Sequence, residues 1–106
     1  MKHIAFHRVY WPSGRFEAMP VITVDGKGFY QFHYILTEEM PAVIWNGGVG
    51  LLLPPEAVPQ PGDSIDALLR ETNPDVSPHA LRLWSADGLP ADADILTPVF
   101  RWYPVF

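Results

Sequence analysis

The 106-residue chain contains no cysteine. That absence excludes disulfide staples, thiolate zinc sites and cysteine nucleophiles, and it fits a reducing compartment. Positive charge is also scarce. Seven Lys and Arg stand against twelve Asp and Glu, for a formal net charge of −5. A nucleic-acid interface requires a basic face, so no nucleic-acid partner is expected. Long apolar runs are missing too: the longest, Val49 to Pro55, is interrupted by Gly50. It falls well short of the ~18 residues that mark a membrane span. The opening stretch Met1-Lys2-His3-Ile4-Ala5-Phe6-His7-Arg8 has no hydrophobic signal core, because histidines and Arg8 break it. These readings predict a cytoplasmic protein with no membrane partner.

What is present points to a folded domain. Hydrophobic residues make up 48% of the chain and charged residues only 18%, which excludes intrinsic disorder. A single domain of this size buries roughly 65% of its unfolded surface, enough for one core. Residues 1–106 therefore read as one domain in three stretches: a β-meander half over 1–53, a Pro-rich connector over 54–62, and a helix plus strands over 63–106. The halves differ in composition. Residues 1–53 carry four basic and four acidic side chains, and residues 54–106 carry three and eight, together with nine of the twelve prolines.

Hydrophobic alternation predicts a strand over His3–Tyr10, with Ile4 and Phe6 on one face and His3, Ala5 and His7 on the other. Trp11-Pro12-Ser13-Gly14 is a turn signal. The β-branched run Val21-Ile22-Thr23-Val24 predicts a second strand. Asp25-Gly26-Lys27-Gly28 is the strongest hairpin signal. A third strand is expected from Phe29 to Leu36, with Tyr30, Phe32, Tyr34 and Leu36 sharing a face. A fourth is expected from Val43 to Leu53, where Gly47, Gly48 and Gly50 suggest a bulge or a close backbone approach. Asp63 can cap a helix beginning at Ser64, whose Ile65, Leu68, Leu69 and Thr72 form an apolar stripe. Residues 77–88 admit two readings. Ser77-Pro78 resembles a helix start, while Leu81–Ser85 alternates as a strand and is favoured. Val99–Tyr103 predicts a last, edge strand between prolines. The fold class is α+β or mainly β: an antiparallel meander of about five to six strands with one short helix packed on it.

Candidate chemistry begins with the histidines. Strand parity places His3 and His7 opposite Ile4 and Phe6, and His33 opposite Tyr30, so a patch of His3, His7 and His33 could ligate a divalent metal. Residues four apart on a strand are separated by roughly 13 Å, so His3 and His7 cannot share one ion. Glu38 and Glu39, just beyond His33, are the candidate carboxylates for acid–base work with it. The ordinary reading of all five is a solvated surface. Asn46-Gly47-Gly48-Val49-Gly50 lacks the Lys-Ser/Thr of a phosphate loop and the third spaced Gly of a dinucleotide loop. No cofactor is expected.

The aromatic residues are the most unusual feature: four Trp, four Tyr and six Phe. Large apolar groups occupy both parities of Phe100-Arg101-Trp102-Tyr103-Pro104-Val105-Phe106. Such a strand must be buried on both sides or covered by a partner. Trp11, Phe100, Trp102, Tyr103 and Phe106 are therefore the candidate binding residues for a protein partner or a homo-oligomer.

The run from His7-Arg8-Val9-Tyr10 through Val21-Ile22-Thr23-Val24-Asp25-Gly26-Lys27-Gly28 to Trp45-Asn46-Gly47-Gly48 resembles small uncharacterised bacterial proteins of about this length. It is also similar to the β-subdomain that flanks the catalytic barrel of amidohydrolase-superfamily enzymes. The likeness spans residues ~7–55. That family places a metal-binding His-x-His shortly after the Gly-rich stretch. Here Pro54-Pro55-Glu56-Ala57 follows and the next histidine is His79. The resemblance thus implies a β-module without barrel or metal motif, and no catalytic residue carries over. Two functions are expected from the sequence. The first is a non-enzymatic β-module for protein–protein or self-association through its aromatic C-terminal strand. The alternative is a small metal-dependent hydrolase using the histidine patch.

Overall fold

The structure, a computed structural model, describes residues 1–37, 42–73, 75–90 and 92–105. Glu38, Glu39 and Phe106 lie outside the described residues. Strands β1 (Lys2–Ala5), β2 (Arg8–Tyr10), β3 (Phe16–Ala18), β4 (Pro20–Val24), β5 (Tyr30–Ile35), β6 (Val43–Trp45) and β7 (Val49–Leu53) precede the single helix α1 (Ile65–Arg70). A 3-10 turn at Pro78–Ala80 then leads into β8 (Arg82–Asp87) and β9 (Arg101–Pro104). This is a mainly β fold with one short helix, as expected. The strands form two mixed sheets, however, in the orders β5-β4-β1-β6 and β3-β2-β7-β8-β9.

The difference from an antiparallel meander has a local cause. The segments expected as single strands, 3–10 and 43–53, each bend and pass from one sheet into the other. At the bend the His7 and Arg8 N–H groups both donate to the Gly48 carbonyl, at 3.1 and 3.3 Å. Reciprocally, the Asn46 and Gly47 N–H groups both donate to the Ala5 carbonyl, at 2.9 and 3.2 Å. Two donors on one acceptor mark a bulge, which bends a strand and reverses its inside–outside parity. Gly47 and Gly48 supply φ of 71° and 59° there, a region that disfavours a side chain. The segment carrying β3 and β4 turns at the same level through Met19, whose φ is 54° and whose N–H donates to the His7 carbonyl at 2.8 Å. The bent segments pair in parallel, β1 with β6 and β2 with β7, on the edges opposite to those taken by β4 and β3.

The two sheets meet again on the far side. Phe29 bridges Arg82, the Tyr30 N–H donates to the Leu81 carbonyl, and the Leu83 N–H donates to the Gly28 carbonyl. The result is a flattened barrel. Its interior is filled by Ile4, Phe6, Val9, Trp11, Ile22, Val24, Tyr30, Leu52, Leu81 and Leu83. Gly50 allows the strands to close tightly, since a Cβ there would stand 3.1 Å from both Phe6 Cε1 and Val9 Cγ2.

A second core lies on the other face of the five-stranded sheet. Val49, Leu51, Leu53, Trp84 and Trp102 pack there with Ile65, Leu68 and Leu69 of α1. The helix is capped by Ser64, not by Asp63: Ser64 Oγ accepts the Ala67 N–H at 3.1 Å. The Asp63 carboxylate instead accepts the Gln60 N–H at 2.8 Å, and the Asp63 carbonyl accepts the Val99 N–H. Both signals in residues 77–88 are expressed, as a single 3-10 turn followed by β8.

One further bulge matters for the site. The β4–β5 register shifts between Thr23 and Val24, so Val24 faces Tyr30 while Thr23 faces Phe32. Gln31 is the extra residue. The expected common face of Tyr30, Phe32 and Tyr34 is thereby split. Tyr30 shares the inner face with His33, the partner of Ile22, and Phe32 and Tyr34 turn outward.

Candidate functional site

The structure separates the three candidate metal-binding histidines. His3 lies on the outer face of the four-stranded sheet, its Nδ1 2.9 Å from Thr23 Oγ1. His7 lies at the bend, its ring edge-on to Trp45 with centroids 4.8 Å apart. His33 lies on the opposite face of the sheet from His3, its Nδ1 2.8 Å from the Tyr30 hydroxyl. Among the described residues no three His, Asp or Glu side chains converge as a metal ion requires.

His33 belongs instead to a cleft at one mouth of the barrel. The cleft encloses about 450 Å³ and is lined by Trp11, Pro12, Ser13, Arg15, Tyr30, His33, Val76, Pro78 and Leu81. The Trp11-Pro12-Ser13-Gly14 turn builds one wall, closed by Gly14 N–H to Trp11 carbonyl and Trp11 N–H to Arg15 carbonyl bonds. The start of β5 builds the second wall, and the 3-10 turn builds the third. Trp11 meets Tyr30 edge-on at 5.2 Å and His33 at 5.2 Å. His79 Nδ1 lies 3.2 Å from the Tyr30 carbonyl. A carbonyl only accepts, so this nitrogen carries the proton. Burial pushes the Tyr30 hydroxyl above its ordinary 10.0, which keeps it protonated at neutral pH.

The polar groups of the cleft do not assemble a hydrolytic relay. Ser13 Oγ accepts the Arg15 N–H at 3.4 Å, and among the described residues no Asp or Glu lines the cleft to orient a base. The Arg15 guanidinium makes no ion pair or side-chain hydrogen bond among the described residues. The Trp11 indole N–H is buried without a partner among the described residues.

Of the candidate binding aromatics, Trp11 and Trp102 are buried and Tyr103 is half-buried. Trp11 is in the barrel core and Trp102 in the helix-side core. Trp102 Nε1 donates to the Asp63 carbonyl at 3.4 Å, and the Tyr103 hydroxyl accepts from Ser85 Oγ at 3.1 Å. Val105 packs against the barrel core. Along β9 itself Trp102 is buried and Tyr103 half-buried, while Arg101 and Pro104 are exposed. Phe100 remains 79% exposed.

A different aromatic surface is partly exposed, around the buried Ala5, Val21 and Thr23. Sheet register places His3, Thr23, Phe32 and Val43 in one row on the outer face of the four-stranded sheet, and Ala5, Val21, Tyr34 and Trp45 in the next. Phe32 is 47% and Trp45 50% exposed, and the Phe32 and Tyr34 rings stack with centroids 6.4 Å apart. Neither Phe32 nor Trp45 is singled out by sequence pattern, because the bulges at Gln31 and at Asn46–Gly47 decide which way they face. Compared with family models, curated proteins and solved structures, the chain gives no match.

Proposed function

We propose that the chain is a non-enzymatic β-module that associates with a second copy of itself through the outer face of its four-stranded sheet. One observation carries this reading: Phe32 and Trp45 stand half exposed on the outer face of the four-stranded sheet beside the buried Ala5, Val21 and Thr23, and among the described residues none of these five joins either core. Exposed aromatic groups clustered on one face mark contact surfaces. The described residues of the two rows include no Asp, Glu, Lys or Arg. Two copies, each with a formal charge of −5, can therefore meet there without setting like charges against each other. A pair related by a two-fold axis uses the same patch on both copies, so one uncharged face suffices.

Sedimentation equilibrium of the full chain over a wide concentration range tests the proposal. The expected result is a monomer–dimer equilibrium that Phe32→Ser and Trp45→Ser shift to monomer while the far-ultraviolet spectrum stays unchanged. A wild-type chain that remains monomeric at the highest concentration overturns it. So does a dimer that both substitutions leave intact; in that case Phe100→Ser tests the C-terminal segment.

A further inference from the structure

We propose that the cleft between Trp11, Arg15, Tyr30 and His33 binds a small aromatic carboxylate. This inference is independent of self-association, since Tyr30 and His33 point to the opposite face of β5 from Phe32 and Tyr34. The cleft volume of about 450 Å³ lies within the range of small-molecule sites, roughly 300–1,000 Å³. Its walls are flat and apolar: Trp11 and Tyr30 provide rings, and Val76, Pro78 and Leu81 provide aliphatic surface.

The polar lining has one sign. Among the described residues Arg15 contributes a guanidinium without a partner, Ser13 a hydroxyl and His33 an imidazole, and no carboxylate joins them. In a chain with a net charge of −5, a cleft with a cation and no acid selects an anion. A guanidinium fork matches the two oxygens of a carboxylate. A phosphate dianion is less well served. The Gly-rich segment, whose backbone N–H groups would be needed to share its charge, lies away from the cleft at the bend, where Gly47 donates to the Ala5 carbonyl. The ligand that fits both walls and rim is a ring carrying one carboxylate.

The test is an NMR titration of the isotope-labelled full chain with benzoate, acetate and benzylamine. Benzoate is expected to move the Trp11 indole N–H signal together with those of Tyr30, His33 and Leu81. Acetate lacks the ring and benzylamine reverses the charge, so each is expected to bind at least about tenfold more weakly. Arg15 is exposed, so Arg15→Gln leaves the fold intact and is expected to weaken benzoate binding by about tenfold. Absence of shifts at the cleft overturns the proposal. Equal binding of benzylamine, or unchanged affinity in Arg15→Gln, also overturns it. Ser13→Ala provides a second variant, with a smaller loss expected.

Discussion

The segment from Val43 to Leu53 is apolar at nearly every position, yet its two halves have opposite fates. β6 leaves Ile44 and Trp45 half exposed, whereas every residue of β7 is buried. The same type of sequence is half exposed at the edge of the four-stranded sheet and buried at the centre of the five-stranded one. Composition alone therefore does not decide burial in this molecule. What decides it is place in the sheet: β6 is an edge strand, while the central β4 of the same four-stranded sheet is buried at every residue, as β7 is. β7 has strands on both edges, the barrel interior on one side and α1 on the other, whereas β6 has β1 on one edge alone among the described residues.

Four substitutions probe that contrast. Leu52→Ala empties a fully buried position between the sheets, and urea unfolding is expected to show a loss of about 2–5 kcal/mol. A loss below 1 kcal/mol would mean that the interior collapses around the gap, and that the sheets are less rigidly held than their packing indicates. Gly50→Ala puts a Cβ 3.1 Å from Phe6 and Val9, and about 1–3 kcal/mol of overpacking is expected from the same measurement. On the outer face of the four-stranded sheet, Phe32→Ser at concentrations where the chain is monomeric is expected to change stability by only about 0.5 kcal/mol. A large loss there would show that the outer face stabilises the monomer and would erase the contrast.

The smallest effect concerns the hairpin of the four-stranded sheet. The Lys27 and Phe29 N–H groups donate to the Asp25 carboxylate, at 2.8 and 3.1 Å, and hold its pKa below the ordinary 3.8. A carboxyl lowered in the folded state adds stability above its unfolded pKa, and this is lost as pH falls through the folded value. Wild-type Tm is expected to drop more steeply below pH 3.8 than that of Asp25→Ala. Parallel slopes would place the turn's stability elsewhere.

Much of the fold was legible in local sequence. The Asp25–Gly28 turn, the Ile65/Leu68/Leu69 stripe and the final edge strand all follow from residue chemistry that acts within a few positions. The bends were half legible. Gly47 and Gly48 announce one of them, but the matching bulge at His7 and Arg8 contains no glycine and is imposed by its partner strand through the shared Gly48 carbonyl. Met19 adopts its positive φ with no signal in its residue type. Parallel pairing was not legible because it joins segments far apart in sequence, β1 with β6 and β2 with β7. The cleft escaped notice for the same reason. A one-residue bulge at Gln31 turns His33 from the outer face to the inner one and brings it to Tyr30.

Three segments, 2–10, 16–24 and 43–53, belong to both sheets at once. Neither sheet can be cut out of the chain or dissolve alone without tearing strands from the other. The 1–53 half, although it contains seven of the nine described strands, lacks the β8 strand that joins the sheets on the far side. Folding must wait for contacts between residues far apart in sequence, which makes it slow for a chain of this size. Hydrogen exchange is expected to report a single cooperative block spanning both sheets, with no independently opening half.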